Sequence, residues 1–352
     1  MQALLPLVPL ASPPPVTVVG TAQIELADAL ARYAAWPAPT TIVSDGAYGV
    51  AGFPGDPPTA DGLPAWYRPH VEAWSRHALP ETSLWFWGTE VGWATVHPLL
   101  VEHGWIYRTA HVWDKGIAHV AGNVNSKTIR KFPVVTELCV HYDRDVRLPT
   151  ADGQRLPLRA WLRHEWFRTG LPLAKTNEAC GVKNAATRKY FTHDHLWYFP
   201  PPEMIERLAA YADRHGRPTE WAYFSADGRT PLTAAEWARL RSKWRHTHGL
   251  TNVWAHPAIR GEERLKDPRR KILHANQKPL QLVERIIAAT SDPGDVVWEP
   301  FGGLCTAAVA ALRSRRRCFS AEIDPDFYRL AVARLCQEGR APTPDGRGWE
   351  CE

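Results

Sequence analysis

The spacing of apolar residues changes along this chain, and the changes mark its elements. Thr40-Thr41-Ile42-Val43 is a short apolar run closed by Ser44-Asp45-Gly46-Ala47-Tyr48-Gly49, which reads as a buried strand ending in a sharp turn. Residues 67–78 and 91–103 carry helical spacing, the second followed by Gly104 as a C-cap. Residues 83–87, 105–113 and 134–142 read as strands. Past the middle of the chain the same regularity returns: helix 279–290, strand 296–298, helix 306–313, strand 318–323 and helix 327–337. Strands alternating with helices predict an α/β fold, a mostly parallel sheet with helices on both faces. Near the start, residues 21–35 read as a short helix. Residues 1–20 are apolar, but lack a basic beginning and are broken by Pro13, Pro14 and Pro15, so they read as a loose arm rather than a signal peptide.

Between these halves the pattern is different. Residues 150–271 are rich in Arg, Trp, His and Pro, with shorter, less regular segments. Charge follows the same division. Residues 151–271 hold 22 Lys+Arg against 13 Asp+Glu, whereas the rest of the chain holds 20 against 24. A basic middle between acidic ends points to a polyanion-facing module set into an ordinary domain. Trp161, Trp166, Trp197, Trp221, Trp237, Trp244 and Trp254 are interleaved with that charge and read mainly as the core of a small subdomain.

The remaining composition narrows the class. With 352 residues, 45% hydrophobic and 22% charged, the chain is neither disordered nor a multi-span membrane protein. Its six cysteines show no metal-ribbon or dithiol spacing, and His193 and His195 stand apart from other ligands, so no metal site is expected. A reduced, cytoplasmic setting is the expectation.

The densest chemistry lies in Val296-Val297-Trp298-Glu299-Pro300-Phe301-Gly302-Gly303-Leu304-Cys305-Thr306. A buried strand ends in an acid, passes through two glycines and opens a helix, whose N-terminus then faces whatever the glycines let approach. The next strand also ends in acids, at Glu322 and Asp324, placed for a ribose diol. A dinucleotide fingerprint is absent, and Glu299 would repel a pyrophosphate. It would instead attract a cationic amino group, which points to S-adenosylmethionine.

Four segments in order, His274-Ala275-Asn276-Gln277-Lys278-Pro279, Asp292-Pro293-Gly294-Asp295, Glu299-Pro300-Phe301-Gly302-Gly303 and Glu322-Ile323-Asp324-Pro325, resemble the cofactor motifs of the DNA amino-methyltransferases. Asp45-Gly46-Ala47-Tyr48 upstream resembles that family's catalytic motif, and the order of the two sets resembles its β class. The resemblance implies a Rossmann-like methyltransferase sheet using S-adenosylmethionine. Its cofactor residues would be Asn276, Gln277, Lys278, Pro279, Glu299, Pro300, Phe301, Gly302, Gly303, Cys305, Thr306, Glu322 and Asp324. It further implies that the Asp45 carboxylate and the Gly46 carbonyl accept the hydrogens of an exocyclic amino group, with Ala47 in the same turn. Tyr48 stacks on the flipped base, and Phe53 in the following loop is a second stacking candidate. Three departures stand out: Glu299 for Asp, Leu304-Cys305 for Ser-Gly, and Gly46-Ala47 for two prolines.

The domain plan that follows is an arm and helix at 1–40, a catalytic half at 41–150, an inserted target-recognition domain at 151–271, a cofactor half at 272–340 and a tail at 341–352. Within the insertion, Arg239, Arg241, Lys243 and Arg245 are the expected DNA contacts. The partner implied is double-stranded DNA, with no membrane; a cognate restriction endonuclease and a homodimer are both compatible. For the base, an acid at position 45 leans toward adenine N6 in the family. The 16 arginines of residues 151–271 lean toward a G·C-rich site. Cytosine N4 is placed ahead, with adenine N6 as the close alternative. Rival readings are a catalytically inactive DNA-binding protein on this fold and an RNA or protein methyltransferase.

Overall fold

Val296-Val297-Trp298-Glu299, four buried residues in succession, form a central strand of a nine-stranded sheet. The computed structural model describes residues 15–52, 55–120, 130, 132–260, 263–265 and 276–340. The chain divides into two units, Met1–Asp143 with Lys243–Glu352, and Arg144–Ser242.

In chain order the first unit contains β1 (Val16–Val19), β2 (Ala22–Leu26), β3 (Thr41–Ser44), α1 (Leu63–His77), β4 (Ser83–Gly88), α2 (Glu90–Glu102), β5 (Trp105–Asp114) and β6 (Thr136–Arg144). The second unit supplies β7 (Arg147–Pro149), β8 (Arg155–Pro157), α3 (Leu158–Arg168), α4 (Lys175–Cys180), α5 (Pro202–His215) and α6 (Ala234–Ala238). The first unit then resumes with β9 (Val253–Ala255), α7 (Leu280–Thr290), β10 (Val296–Glu299), α8 (Thr306–Arg313), β11 (Arg317–Glu322) and α9 (Pro325–Arg340). The sheet order is β1-β2-β11-β10-β3-β4-β6-β5-β9. The run β2-β11-β10-β3-β4 is parallel, and β6 enters antiparallel to β4.

Alternation along the central strands sends side chains to two separate cores. Ile42, Leu84, Phe86 and Trp298 pack with Tyr67, Val71 and Trp74 of α1 and Val96, Leu99 and Leu100 of α2. Val43, Trp85, Trp87 and Val297 pack with Leu282, Val283, Ile286 and Ile287 of α7 and the alanine-rich face of α8. This is the two-faced α/β arrangement expected from the sequence. It also positions the site. From β10 the chain crosses by α8 to β11 on one side, and from β3 it crosses by α1 to β4 on the other. The carboxyl ends of β10 and β3 are neighbours from which the connections diverge, so a crevice opens there.

Three expectations need correction. Residues 16–19, read as part of a loose arm, are β1, an edge strand paired antiparallel with β2 from Val16↔Glu25 to Val19↔Ala22. Residues 21–35 are not a helix. Residues 22–26 are β2, paired in parallel with β11 from Cys318↔Ala22 to Glu322↔Leu26 and antiparallel with β1. A ladder on both edges outweighs the local helical signal, which survives only as a single turn at Ala29–Ala31 capped by Asp28. The insertion is also shorter at its C-terminal end than the expected 151–271. β9 pairs in parallel with β5 at Val112↔Val253, and Lys243 ion-pairs with Asp295 and Asp292 at 2.6 and 3.1 Å, so this stretch belongs to the first unit. The second unit is a helical body whose core contains Trp161, Trp166 and Trp237, all fully buried. No helix among the described residues is long and apolar enough to cross a membrane.

Trp298 is the keystone of the α1 face. It is fully buried, stacks on Tyr33 at 5.2 Å and donates its indole N–H to the Pro37 carbonyl at 2.8 Å. Trp298→Ala is expected to cost about 3–5 kcal/mol of stability, read as a fall in the urea midpoint. A loss below about 1 kcal/mol would mean that this face can collapse around the gap.

Candidate active site

The turn after β3 and the turn after β10 meet at the crevice, and their side chains line one cavity of about 980 Å³. Asp45, Gly46, Ala47 and Tyr48 are on its wall with Asn276, Gln277, Lys278, Glu299, Pro300, Phe301, Gly302, Gly303, Thr306, Glu322 and Asp324. Pro279 and Cys305, expected with them, are not. Pro279 is the N-cap of α7, and the Cys305 thiol is fully buried, 3.4 Å from the Ser320 hydroxyl. Phe53 lies outside the described residues.

At the centre of the Asp45–Tyr48 turn is a buried charge network. The Lys278 ammonium is 2.8 Å from Asp45 Oδ1 and 3.2 Å from Glu137 Oε1. It also sits over the rings of Tyr48 and Trp87, at 5.0 and 5.5 Å. The Tyr48 hydroxyl is 2.6 Å from Glu137 Oε1 and 2.9 Å from Asp45 Oδ1, so one hydrogen serves two carboxylates. Lys115 closes the set, 2.8 Å from Glu137 Oε2. Burial alone would strip the Lys278 proton, but Asp45 and Glu137 outweigh it and hold the pKa above the usual lysine value. Burial likewise opposes ionisation of Glu137, and Lys278 and Lys115 overcome it, leaving its pKa below the usual carboxylate range. Burial, then Asp45 and Glu137, drive the Tyr48 phenol well up. Charge therefore balances: two carboxylates, two ammonium groups and one neutral phenol.

The missing prolines of the catalytic turn have a steric reason. A Cβ on Gly46 would lie 2.7 Å from the Phe301 ring and 2.8 Å from the Tyr67 hydroxyl. There is no room for a pyrrolidine. Tyr67 instead donates to the Ala47 carbonyl at 3.0 Å, fixing the turn that prolines would otherwise stiffen. Phe301 in turn packs among Trp66, Tyr67, His70 and Trp74. Burial lowers the His70 pKa to about 4, so this ring is neutral at physiological pH.

On the cofactor side the acids hold the backbone. Glu299 accepts from the Ala307 and Ala308 amides of α8 at 2.7 and 3.0 Å, one on each oxygen. Glu322 accepts from Gly303 at 2.6 Å and Asp324 at 2.8 Å. Asp324 caps α9 through the Asp326 and Phe327 amides. The Gln277 side chain bonds the backbone of Glu263 and Leu265. Each carboxylate oxygen of Glu299 and Glu322 keeps a second lone pair for a ligand. A Cβ on Gly302 would lie 2.9 Å from the Ser320 hydroxyl and 3.0 Å from the Ala321 carbonyl, so a side chain there would displace the turn. Cys305 stands at a left-handed position, φ 53°, where the resembled family has glycine, at about 1–2 kcal/mol of strain. Arg334 of α9, itself buried, grips the adjoining backbone by donating to the Leu304 carbonyl at 2.8 Å and to the Thr306 hydroxyl at 3.1 Å.

The proposed DNA cluster is divided. Lys243 and Arg245 are paired with Asp292, and Lys243 also with Asp295, within the first unit. Arg239 and Arg241 belong to the second unit, where Arg241 lies over the Phe199 ring at 4.6 Å. Glu137, Lys115, Trp87 and Trp66 were not singled out in the sequence. For Glu137 the signal was present: a carboxylate in an otherwise buried strand, Thr136–Arg144.

A doubly wound sheet with two acid-tipped strands and a glycine turn at its switch point defines a Rossmann-like methyltransferase fold. A family model described as DNA methylase matches residues 55–333, and the chain belongs to that family, the N6/N4 DNA methylases. The chain is similar to the DNA adenine methyltransferase YhdJ of Escherichia coli K12, 38% identical over 84 residues that make up 24% of this chain and 27% of that protein. It is also similar to the Type II methyltransferase M.HinfI of Haemophilus influenzae, 34% identical over 84 residues, 24% of this chain and 23% of that one. The matched segments thus span about a quarter of each relative. Among solved structures, M1.HpyAVI in complex with S-adenosylmethionine aligns with a TM-score of 0.45 and 14% identity, covering 89% of this chain and 99% of that one. The cytosine-N4-specific PvuII DNA methyltransferase aligns with a TM-score of 0.48 and 11% identity, covering 90% and 86%.

Two predictions follow from the charges. Glu137→Gln leaves Lys278 and Lys115 short of one buried negative charge and is expected to cost about 3–5 kcal/mol in urea unfolding. An unchanged midpoint would show that water reaches these ammonium groups. Burial pushes Glu299 up to about 8, against its two N–H donors. The folded chain therefore holds this proton more tightly than the unfolded one. The associated stabilisation is complete below the unfolded pKa near 4.5 and is lost as pH rises through about 8. Glu299→Gln should flatten that component of stability between pH 5 and 8.5, a difference of up to about 4 kcal/mol. Parallel pH profiles for the two proteins would remove Glu299 as the source.

Proposed function

We propose that this chain is a DNA methyltransferase acting on the exocyclic amino nitrogen of a base turned out of the duplex, with adenine N6 ahead of cytosine N4. The observation that carries the reading is Asp45. One oxygen is pinned by Lys278 and Tyr48 at 2.8 and 2.9 Å, on the wall of the same cavity as the glycine turn. A carboxylate held at one oxygen presents the other in a fixed direction.

The residues fit S-adenosylmethionine, which when bound supplies the methyl group. Glu299, whose proton burial holds up to about pH 8 in the unliganded chain, would ionise against the cofactor's cationic amino group, Glu322 would take its ribose diol, and Gly302-Gly303 offer a bare backbone for close approach. On the substrate side, an exocyclic amino nitrogen is a weak nucleophile because its lone pair is delocalised into the ring. Asp45 and the Gly46 carbonyl accept its two hydrogens and draw it toward tetrahedral geometry. The nitrogen sheds a proton as it gains the methyl, and Asp45 is the group placed to receive it. Holding the reactants in line and fixing acceptors in advance are the two sources of rate. The Tyr48 hydroxyl is committed to the network, so its ring is rigidly set as one wall for the base.

Two observations favour adenine. An acid stands at position 45, and one relative is an adenine methyltransferase. The case for cytosine N4 rested on the count of arginines, and several of these are engaged internally. Arg168 pairs with buried Glu165 at 2.7 Å, Arg245 with Asp292, and Arg241 with Phe199. Cytosine N4 remains the second reading, supported by the arginines of the second unit that face solvent.

Incubation with mixed-sequence DNA and S-adenosylmethionine, followed by digestion to nucleosides and mass spectrometry, is expected to yield N6-methyladenine. N4-methylcytosine would reverse the base assignment, and neither product would favour a DNA-binding protein without this activity. Asp45→Ala should lower the rate by about 10²–10⁴-fold while cofactor affinity, measured by titration, stays within about twofold. A near-normal rate would remove Asp45 from the chemistry.

A further inference from the structure

The second unit carries a loop that the roles above leave unused, Phe191-Thr192-His193-Asp194-His195-Leu196-Trp197-Tyr198-Phe199. Its base is anchored. Phe199 stacks on Trp237 at 4.6 Å, and Trp197 donates its indole N–H to the Tyr190 carbonyl at 2.9 Å. Its tip is stapled from within. Asp194 accepts from the Leu196 amide at 2.8 Å, and the Asp194 carbonyl takes Arg159 at 3.2 Å. The Tyr198 amide bonds the Lys189 carbonyl at 2.9 Å, bringing the basic pair Arg188-Lys189 beside the tip. The one acid of the loop is therefore consumed in its own turn. What the rigid tip presents is Leu196 and Tyr198, 57% and 56% exposed, next to exposed Arg159, Arg188 and Lys189. Scattered exposed apolar residues need no explanation. Two large ones on one internally bonded loop, beside Arg159 and the Arg188-Lys189 pair, do.

We propose that this loop enters duplex DNA, with Leu196 as the wedge and Arg159, Arg188 and Lys189 on the flanking phosphates. Turning a base out of the helix leaves a gap in the stack, and a short branched apolar side chain fills it at little entropic cost. Tyr198 packs along the sugar edge, where a ring with a polar tip suits a half-wet surface. Phosphate contacts hold the register. This rests on the reading of the chain as a base-flipping DNA methyltransferase, and it selects the 191–199 loop over the Arg239–Arg245 stretch as the element that engages DNA.

The test uses the full chain and a mixed-sequence duplex, with binding followed by fluorescence anisotropy across a salt series. Arg188→Ser with Lys189→Ser should lower the slope of log K against log salt by about 2, whereas Arg214→Ser, a cation on α5, should change binding by less than about twofold. Leu196→Ala should reduce methylation of duplex DNA by about tenfold or more but leave methylation of heat-denatured DNA unchanged, because a single strand has no gap to fill. Circular dichroism confirms that each variant is folded. An unchanged salt slope in the double variant, or equal losses on duplex and denatured DNA for Leu196→Ala, would overturn the assignment. If the wild-type chain binds DNA but methylates none, the proposed activity fails and the salt slope alone judges the loop. If it does not bind DNA, both fail.

Discussion

The site depends on one buried ammonium group. Lys278 Nζ joins Asp45 from the turn after β3, Glu137 from β6 and the Tyr48 ring, stretches far apart in the chain. Without it, the Asp45 and Glu137 carboxylates would face each other with no cation between them. With it, one Asp45 oxygen is held in a fixed direction by a buried neighbour that is itself unable to leave. Lys115 performs the same service for Glu137 at the rim. The sheet supplies the geometry by ending β3 and β10 side by side, and the network fixes the charge within it.

A second constraint acts on the cofactor side, where backbone is held by acids more than by glycines. The resembled motif relies on glycine for its conformational freedom. Here Cys305 occupies the left-handed position, and the turn is held by Glu299 below, Glu322 beside and Arg334 behind. Glu299, one carbon longer than the aspartate it replaces, reaches two successive amides of α8. Hydrogen bonds of this kind are worth about 0.5–1.5 kcal/mol each, so the pair offsets the strain at Cys305. The same logic applies at Gly46, where Tyr67 and Phe301 replace proline stiffness by packing.

Much of this was legible in the sequence because period and punctuation are local. The strands at 41–44, 83–88 and 296–299 and the helices from α1 to α9 in the first unit follow from apolar spacing, and Asp45, Lys278, Glu299 and Glu322 from ordered motifs. What was not legible depends on pairing. Residues 22–26 look helical by composition and become a strand only because β11 and β1 flank them. Residues 243–255 look like part of the basic insertion until their acidic partners at 292 and 295 and the edge of β5 are in place. Glu137 could be flagged as a charge in a buried strand, but not matched to Lys278, since no spacing along the chain encodes a contact across the sheet.

The strand order has a consequence for synthesis on the ribosome. β2 and β3 emerge early, yet they are not neighbours: β11 and β10 insert between them. Until β10 and β11 have been made, both strands present open edges, and β3 has only β4 to pair with. The Arg144–Ser242 unit, contiguous and with its own tryptophan core, can be completed first. The turns after β3 and β10 then come together in the last step of assembly, when β10 and β11 slot into the waiting gap. Such non-local closure is slow and leaves sticky edges exposed in the meantime. A chain cut between Lys278 and β10 would therefore carry Asp45, Tyr48 and Lys278 but lack the central strand that sets the two turns side by side.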